Sequence, residues 1–351
     1  MNDYFCVLPF YSFELSRPNG QNVYCCRLKF GADIQSVRDD IAQGKRSPAC
    51  DACWKLEDAG LNSERILHNQ ALDFYLDRDI EKIQQDALSQ GYQPKIIKLA
   101  TSNLCNSTCV TCDSRSSSAW AALEQKPIKY DIIAQDILQG IDLTHIVQLS
   151  FVGGEPLLER TNFDILQRLI DTGNTGCFIS IVTNGSCDLS RSALETLEKF
   201  SNLNICMSID GTQKVFEYMR YPLQWDKLLS NINLYRGLAR YISVSSMISN
   251  LNIVHYSAMI DFFHDQNLHY LFKPIEYPGI FAPGNLPDKA KQWVLDLNPR
   301  YQDHVIAMLG RGSYSFEKWG LLKQEVHRQD SLKGIDIKKY LPEFYDYMNL
   351  P

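Results

Sequence analysis

From about residue 95 to residue 275, the chain alternates short apolar segments with amphipathic ones. The amphipathic runs, such as 163–170 and 225–232, place apolar residues three and four positions apart, which is typical of helices with one buried face. Apolar strands that alternate with helices favour a parallel sheet, because the helices cover both of its faces. Six apolar segments predict β-strands: 95–100, 145–152, 178–183, 204–209, 242–248 and 269–275.

Six strand–helix units predict an α/β fold, a partial (β/α)6 TIM-like barrel over residues 93–285. In barrels of this kind the functional residues gather at the C-terminal ends of the strands. Thr161 and Asp164 resemble a capping box and predict where the helix after the second strand begins. We expect a small cysteine-rich module with a helical connector over residues 1–92, and a helical extension over residues 286–351.

The overall composition argues against two classes of partner. The net charge of −6 lacks the basic footprint of a nucleic-acid-binding protein. No apolar run approaches the roughly 18–20 residues that a membrane span needs. The N-terminus has no basic region ahead of an apolar one, so it does not resemble a signal peptide. We therefore expect a cytoplasmic protein that binds neither nucleic acid nor membrane.

Cysteine is unusually frequent and unevenly placed, with eight of the eleven cysteines before residue 113. In a reducing compartment, clustered cysteines indicate metal binding or catalysis more often than disulfides. We expect Cys177, Cys187 and Cys206 to be mostly structural, although Cys187 could face a substrate. The eight are Cys6, Cys25, Cys26, Cys50, Cys53, Cys105, Cys109 and Cys112.

The segment NLCNSTCVTCD follows the first predicted barrel strand and carries Cys105, Cys109 and Cys112 in the spacing C-x3-C-x2-C. Three thiolates can hold three irons of a [4Fe–4S] cube and leave the fourth iron open to a substrate. A zinc site with a distant fourth ligand is the alternative.

This spacing resembles the signature of radical S-adenosylmethionine (SAM) enzymes. The resemblance implies that the amine and carboxylate of SAM chelate the open iron, and that an electron passed to the sulfonium releases a 5′-deoxyadenosyl radical. In that family the residue before the last cysteine is usually aromatic and packs near the adenine. Here it is Thr111, so stacking on the adenine must come from elsewhere.

Further motifs follow in the order that the family has. FVGGEP (151–156) resembles the GGEP motif that grips the amino group of SAM, which implies this role for Gly153, Gly154 and Glu155. Paired glycines let the backbone approach a ligand closely, and a carboxylate can receive an ammonium group. Taken alone, the four residues are also compatible with an ordinary turn.

VTNGS (182–186) and MSIDG (207–211) end the third and fourth predicted barrel strands. The resemblance places such segments against the ribose and carboxylate of SAM, and tight turns capped by Asn or Asp are the alternative. Arg220 matches an arginine that pairs with the carboxylate of SAM in many relatives, and Asn252 is a softer candidate. The candidates from the two segments are Thr183, Asn184, Ser208 and Asp210.

The N-terminal cysteines resemble the SPASM and twitch extensions of radical SAM enzymes, which hold auxiliary iron–sulfur clusters. Gly20 precedes Cys25 in a G-x4-C pattern, and Cys50 and Cys53 form a C-x2-C pair. In most relatives this extension follows the barrel, whereas here it precedes it, as in twitch-domain radical SAM proteins. The implied ligands of one auxiliary [4Fe–4S] cluster are Cys6, Cys25, Cys50 and Cys53.

Three points about this module stay open in the sequence. Cys26 could replace Cys25, because only the spacing from the glycine separates them. A zinc site is the alternative, since C-x2-C pairs suit zinc equally well. Ala59 and Ser63 stand where a full SPASM domain has further cysteines, so we expect one auxiliary cluster and not two.

The resemblance covers roughly residues 5–285 and implies modification of a ribosomally synthesised peptide. The reactions in that group include crosslinking, epimerisation, decarboxylation and backbone splicing, such as the excision of tyramine by cyanobacterial spliceases. The implied partners are a precursor peptide, a separate PqqD-like leader-binding protein and an electron donor of the flavodoxin or ferredoxin type.

Two other functions compete with this interpretation. The first is a radical SAM enzyme that acts on a sugar, nucleotide or other small metabolite. The second is a non-catalytic zinc or iron–sulfur scaffold, which would leave the GGEP and SIDG segments without a purpose.

Overall fold

A seven-stranded parallel sheet forms the centre of the molecule, and its strands lie side by side in chain order. They are β1 (Ser12–Leu15), β2 (Ile96–Ala100), β3 (Gln148–Val152), β4 (Phe178–Thr183), β5 (Asn202–Ser208), β6 (Tyr241–Ile248) and β7 (His269–Pro274). The six predicted strands are confirmed as β2 to β7, and the partial TIM-like barrel is confirmed with them. This computed structural model describes residues 3–15, 24–25, 27–29, 31–58, 60, 62–76, 80–127 and 138–348.

Helices follow the barrel strands as the alternating pattern predicts. Within the described residues, no helix is both long enough and apolar enough to cross a membrane. The α-helices are α1 (Leu8–Tyr11), α2 (Ile34–Ala42), α3 (Asp51–Asp58), α4 (Glu64–Leu76), α5 (Ile80–Gln90), α6 (Ser118–Leu123), α7 (Arg160–Asp171), α8 (Arg191–Leu197), α9 (Gln213–Met219), α10 (Trp225–Leu238), α11 (Tyr256–Asp265), α12 (Asp288–Leu297), α13 (Gln302–Leu309), α14 (Phe316–Lys333) and α15 (Pro342–Met348).

The edge strand β1 was not predicted from the sequence. It pairs in parallel with β2, from Ser12 opposite Ile96 to Leu15 opposite Leu99. Its four residues are too short a run to show a strand period, and their extended conformation depends on pairing with β2. The segment before residue 93 therefore contributes a strand to the barrel sheet, and the division at residues 92 and 93 stays a prediction.

The two faces of the sheet have different chemistry. Apolar side chains of β4 and β5, such as Ile181 and Ile205, pack with Leu166 of α7 in the main core. On the other face, the side-chain amide of Asn204 donates to Ser180 Oγ at 3.1 Å and its oxygen accepts from Ser243 Oγ at 3.1 Å. Because side chains alternate along a strand, one face builds the core and the other is a half-buried face that carries these polar groups.

Helix α7 begins differently from the predicted capping box. Its N-cap is Glu159, whose carboxylate accepts a hydrogen bond from the backbone N–H of Thr161 at 3.1 Å. The prediction that Thr161 and Asp164 form the cap is wrong, because the buried carboxylate of Glu159 caps the helix by accepting from the N–H of Thr161. Asp164 instead lies 4.0 Å from Arg160, on the exposed side of the helix.

The C-terminal segment is helical, as predicted, and belongs to the main core. Leu322 and Val326 of α14 and Phe344 of α15 are buried in the same apolar cluster as the barrel strands. Helix α14 also reaches the loop after β2, where the side-chain amide of Gln329 donates to the carbonyl of Val110 at 2.9 Å. This contact puts the last part of the chain directly behind the C-x3-C-x2-C segment.

Candidate active site at the mouth of the barrel

The C-terminal ends of the parallel strands meet at one edge of the sheet, which we call the mouth. The loop after β3 contacts the loop after β2, because the N–H of Glu155 donates to the carbonyl of Leu104 at 2.7 Å. The turn after β4 reaches the same loop, where the side-chain amide of Asn184 donates to Asn106 Oδ1 at 2.8 Å. Three of the predicted motifs are thus in contact.

Cys105, Cys109 and Cys112, which we call the mouth cysteines, lie around one small region of the loop after β2. The hydroxyl oxygen of Ser107 is 3.3 Å from the sulfur of Cys105 and 3.4 Å from the sulfur of Cys109. Cys109 is buried, whereas Cys112 is exposed. The segment therefore presents three thiols at the open end of the barrel.

The mouth cysteines differ in how easily they lose a proton. A hydrogen bond from Cys112 and the positive charge of Arg220 lower the pKa of Cys109 to about 6, against the effect of burial. The same hydrogen bond raises the pKa of Cys112. Burial and the neighbouring Cys109 raise the pKa of Cys105. Since thiolates are the form that binds metals, Cys109 is prepared as a ligand at neutral pH.

The backbone of the cysteine loop is fixed by the segment that follows α9. The N–H of Thr108 donates to the carbonyl of Tyr221 at 2.7 Å, and the N–H of Val110 donates to the carbonyl of Met219 at 2.9 Å. The indole N–H of Trp120, in α6, donates to the carbonyl of Cys109 at 2.9 Å. These bonds hold the loop from two sides, so the spacing of the thiols is set by the fold as well as by the sequence.

Arg220 connects the mouth cysteines to the end of β5. Its Nη2 lies 2.7 Å from Asp210 Oδ2, and its Nη1 lies 3.9 Å from the sulfur of Cys109. Burial would lower its pKa, but Asp210, Cys109 and Cys112 outweigh this and raise it. Its Nε is buried without a hydrogen-bond partner among the described residues. That N–H is a free donor beside the thiols.

Both carboxylate oxygens of Asp210 are bonded to groups of the protein. Besides the ion pair with Arg220, its Oδ1 accepts from the N–H of Met247 at 2.7 Å. Burial raises the pKa of its carboxyl group, and Arg220 opposes that shift. The structure therefore gives Asp210 the role of holding Arg220 against β6, and its predicted contact with SAM stays a prediction.

The side chain of Asn252 links the segment after β5 to the end of β6. Its side chain is 0% exposed, and its amide donates to the carbonyls of Asp210 at 2.9 Å and Met247 at 2.8 Å. Its oxygen accepts from the N–H of Ser249 at 2.7 Å and from the Ser249 hydroxyl at 3.1 Å. All of its side-chain groups are bonded to protein, so the structure does not support Asn252 as a ligand contact.

The glycines of FVGGEP are required by the packing of two loops. A Cβ on Gly154 would lie 2.2 Å from the carbonyl oxygen of Leu104, and one on Gly153 would lie 2.9 Å from that of Ser102. Gly153 also has a φ of +112°, which side chains disfavour. The pair lets the loop after β3 lie directly on the cysteine loop, and the expected close approach to a ligand stays a prediction.

Glu155 orients the end of β4. The residue is 1% exposed, and its Oε1 accepts from Thr183 Oγ1 at 2.8 Å and from the N–H of Leu157 at 3.1 Å. Its Oε2 accepts from the N–H of Asn184 at 2.6 Å. Burial raises the pKa of this carboxyl group. The carboxylate predicted to receive the amine of SAM is bonded to protein donors on both oxygens, so its direct role stays a prediction.

Asn106 is a mouth residue that the sequence analysis missed. It is exposed, and its side-chain amide donates to Ser186 Oγ at 2.9 Å while its oxygen accepts from Asn184. Asn184 in turn accepts from the N–H of Ser186 at 2.9 Å. This network links the C-x3-C segment to the turn after β4. The only sequence feature that points to Asn106 is its position as a polar residue between Cys105 and Cys109.

The remaining candidates lie near this site in two different settings. Ser208 ends β5 on the half-buried polar face, opposite Ser245 of β6. Cys187 is 3% exposed, and Glu155 and Cys105 contribute with burial to a raised thiol pKa. The possibility that Cys187 faces a substrate is therefore not supported, because its thiol lies beneath the mouth.

Cys6, Cys25, Cys50 and Cys53, which we call the N-terminal cysteines, line one small cavity together with Arg27 and Arg65. They come from three separate segments of the chain, which the fold brings to one place. The predicted alternative ligand Cys26, and with it Gly20 and Ala59, lies outside the described residues. Ser63 is buried away from the thiols, where its hydroxyl donates to Glu57.

Two of the N-terminal cysteines, Cys6 and Cys50, are held as neutral thiols. Burial raises the pKa of Cys6, and Cys50 and Cys53 add to that shift. Burial and Cys53 raise the pKa of Cys50 to about 11. Arg65 opposes both shifts, and its Nη1 also fixes the Cys6 segment through a bond to the carbonyl of Phe5 at 2.8 Å.

Within the described residues, no group of three or more His, Cys, Asp or Glu side chains is arranged to hold a metal ion directly. A [4Fe–4S] cube is larger than one ion, and each cysteine binds a different iron. Its ligands therefore need not converge on one point. The donor sets of three and four thiols fit such cubes at the mouth and in the N-terminal cavity.

Residues 99–263 match the family model of the Radical SAM superfamily. The chain is 26% identical over 264 residues to the radical SAM cyclopropyl synthase TigE of Paramaledivibacter caminithermalis, a match that covers 70% of this chain and 55% of that protein. It is 24% identical over 194 residues to the 7-carboxy-7-deazaguanine synthase of Methanospirillum hungatei, covering 55% of this chain and 69% of that one. The chain thus spans about half the length of the first of these relatives.

Two solved structures resemble this fold over part of their length. Native anSMEcpe with bound AdoMet has 18% identity, covers 63% of each chain and has a TM-score of 0.42. Streptococcus suis SuiB bound to precursor peptide SuiA has 12% identity, covers 87% of this chain and 70% of SuiB, and has a TM-score of 0.42.

Proposed function

We propose that the chain is a radical SAM enzyme that modifies a ribosomally synthesised peptide, because residues 99–263 match the family model of the Radical SAM superfamily. The observation that carries this proposal is the convergence of three thiols at the barrel mouth, with a buried arginine beside them. Such an electropositive setting favours thiolates, which are the ligands of iron–sulfur clusters.

Cys105, Cys109 and Cys112 would hold the SAM-binding [4Fe–4S] cluster. When bound, this cluster supplies an electron to SAM, which is then cleaved to methionine and a 5′-deoxyadenosyl radical. The residues proposed to contact SAM are Gly153, Gly154, Glu155, Thr183, Asn184, Ser208, Asp210 and Arg220.

The side chains of the mouth have definable tasks in this function. Arg220 stabilises the Cys109 thiolate, and Asp210 holds Arg220 in place. The unpartnered Nε of Arg220 is suited to donate to a carboxylate such as that of SAM. Glu155 fixes Thr183 and Asn184 at the end of β4, where their backbone and side-chain groups line the mouth.

We further propose that Cys6, Cys25, Cys50 and Cys53 hold one auxiliary [4Fe–4S] cluster. The support is their common cavity and the presence of Arg27 and Arg65 around it. Cys53 lies in the first turn of α3 and Cys50 directly precedes that helix, and a helix N-terminus favours thiolate charge. The cubane would replace the protons that burial keeps on these thiols in the metal-free protein.

A peptide substrate is supported by the N-terminal cysteines, which resemble those of SPASM and twitch modules. The match to TigE, a radical SAM cyclopropyl synthase, supports the radical SAM chemistry alone. The chemistry would be a crosslink, an epimerisation or a backbone splicing such as tyramine excision. The proposed partners are a precursor peptide, a PqqD-like leader-binding protein and an electron donor of the flavodoxin or ferredoxin type.

A second candidate function is the modification of a small metabolite. It is favoured by the match to a 7-carboxy-7-deazaguanine synthase, whose product is a modified nucleobase. The half-buried face with Ser180, Asn204 and Ser243 has hydrogen-bonding groups for either kind of substrate.

The first experiment tests SAM cleavage. The full chain is reconstituted with iron and sulfide without oxygen, then incubated with SAM and dithionite while 5′-deoxyadenosine is measured. We expect product from the parent and from Cys177→Ala, a control cysteine in the apolar core. A protein that stays colourless with iron and sulfide, binds zinc tightly and yields no 5′-deoxyadenosine would instead be the non-catalytic scaffold.

The second experiment separates the two substrate classes. The reconstituted protein is incubated with SAM and either synthetic peptides encoded by short reading frames next to its gene or a panel of nucleobases and sugars. We expect a peptide to stimulate 5′-deoxyadenosine formation and to change mass. Stimulation by a nucleobase or sugar alone would replace the peptide proposal by the metabolite one.

A further inference from the structure

Lys333, the last residue of α14, is a buried cation without a carboxylate partner. It is 8% exposed, and its Nζ donates to the side-chain oxygen of Gln329 at 3.0 Å. Its ammonium forms no ion pair with a carboxylate among the described residues. The nearby carboxylate of Asp330 is occupied by the hydroxyl of Tyr218 at 3.0 Å and the N–H of Ile337 at 2.7 Å.

A buried charge destabilises the folded protein unless an opposite charge offsets it. The side-chain oxygen of Gln329 and the ring face of Trp120 compensate only weakly for the buried charge of the ammonium group. The position of Lys333 at the C-terminal end of a helix adds a modest favourable interaction. An anion close to Lys333 would supply the rest.

The side chains of Trp120 and Gln329 each contact both Lys333 and the cysteine loop. Its Nζ lies 4.7 Å from the centre of a Trp120 ring, and Trp120 donates its indole N–H to the carbonyl of Cys109 at 2.9 Å. Gln329, its hydrogen-bond partner, donates to the carbonyl of Val110 at 2.9 Å. Lys333 is therefore buried behind the loop and connected to it through Trp120 and Gln329.

The charges around Lys333 agree with this geometry. Burial lowers its pKa to about 8, and Cys109 is the largest of the influences that act in the opposite direction, ahead of Asp330. Arg220 contacts Cys109 from the segment after α9. The thiolate of Cys109 thus has one cation in contact and a second one behind it.

We propose that Lys333 is a second buried counter-charge for the mouth cysteines, and that its positive charge makes the cluster held there easier to reduce. The inference rests on the proposed function, since it requires a cluster at Cys105, Cys109 and Cys112. A fixed positive charge stabilises a site that gains an electron, and the effect is larger in the protein interior than in water. Lys333 is a positioning charge that does not touch the reacting atoms.

The test is the reduction of the cluster itself, independent of turnover. The full-length protein is reconstituted without oxygen and titrated with titanium(III) citrate. The electron paramagnetic resonance signal that changes on addition of SAM reports the reduced cluster at the mouth. The variants are Lys333→Met, which keeps the length but removes the charge, Lys333→Arg, which keeps the charge, and the exposed control Lys339→Met.

We expect Lys333→Met to lower the ratio of reduced to oxidised cluster by about tenfold at a fixed potential, which is the size expected for removing a unit charge near a buried site. Lys333→Arg and Lys339→Met should stay within about twofold of the parent. An unchanged ratio in Lys333→Met, with unchanged iron content, would overturn the inference, because a purely structural role predicts no shift.

The remaining outcomes are also decisive. If Lys333→Met loses the cluster but Lys333→Arg keeps it, the charge is required and the inference stands in a stronger form. If both variants lose it, the site needs the shape of lysine and the inference fails. A parent protein that never forms a SAM-responsive cluster contradicts the proposed function instead, so the two failures are distinguishable.

Discussion

The mouth cysteines and the N-terminal cysteines are both assembled from a short motif and its surroundings, but their electrostatic settings are opposite. At the mouth, the guanidinium group of Arg220 contacts the sulfur of Cys109, and the pKa of Cys109 is lowered to about 6. In the N-terminal cavity, burial dominates and raises the pKa of Cys50 to about 11. One thiol of the mouth, Cys109, is therefore prepared to carry negative charge before any metal arrives, whereas Cys50 of the N-terminal cavity is not.

This contrast agrees with the number of thiols in each site. A site with three thiols leaves one iron for an exogenous ligand, so it must stay open and must tolerate the charge of that ligand. A site with four thiols can ligate a cluster completely and can be closed by apolar packing, here by Leu8, Pro9 and Leu28. The electrostatics of the two regions therefore agree with the proposed difference between a reactive site and a fully ligated one.

Removal of the mouth cysteines should have the largest effect. We expect the combined change Cys105→Ala, Cys109→Ala and Cys112→Ala to abolish 5′-deoxyadenosine formation and to lower the iron content by about one cluster, because the open iron is lost. Iron analysis and chromatography of the nucleoside measure this, with Cys177→Ala as the control. Turnover that survives the triple change would contradict the assignment.

Removal of two N-terminal cysteines should separate the two sites. Cys50→Ala with Cys53→Ala should also remove about one cluster, but SAM cleavage without coupling to substrate should persist, because the mouth is intact. Iron content and 5′-deoxyadenosine formation are compared with those of the parent. Equal iron content in variant and parent would refute the auxiliary site.

The packing of FVGGEP on the cysteine loop predicts a strong effect of one methyl group. Gly154→Ala should reduce the free energy of unfolding by about 1–3 kcal/mol and lower cluster occupancy at the mouth, because its Cβ meets the carbonyl of Leu104. The matched control is Gly237→Ala in α10, where nothing lies within 4 Å. Denaturant unfolding of the metal-free protein measures both, and equal effects would show that the close contact is tolerated.

The smallest effect concerns the thiols of the metal-free protein. A thiol with a pKa of about 6 is already mostly ionised at pH 7, so labelling of the Cys109 and Cys112 pair by iodoacetamide should change less than about twofold between pH 7 and 9. Labelling of Cys50, whose pKa is about 11, should rise roughly tenfold per pH unit. Mass spectrometry of labelled peptides measures both profiles, and parallel profiles would remove the contrast.

Features that depend only on residues close together in the chain could be predicted from the sequence. The strand at residues 178–183 is found at Phe178–Thr183, because its period and its flanking turns are local. The spacing of Cys105, Cys109 and Cys112 and the order of the motifs are equally local. Parallel strands then bring their C-terminal ends to one edge, so the placement of the motifs at the mouth followed from the fold class.

Other features needed the folded chain. The strand β1 forms only because β2 offers it an edge, and Gly154 is required by a carbonyl of another loop. Glu155 was expected at a ligand, but its carboxylate holds the end of β4. In each of these cases the partner lies in a distant segment, and no pattern of neighbouring residues identifies it.

The sequence by itself determined the barrel, the cysteine spacing and the order of the motifs, since these depend on periodicity and on distances along the chain. Only the tertiary structure decided which charges surround the thiols. Val110 and Gln329 are 219 positions apart, yet their hydrogen bond places Lys333 behind the mouth cysteines. Electrostatic interactions act through space, and the distances through space between remote residues exist only once the chain has folded.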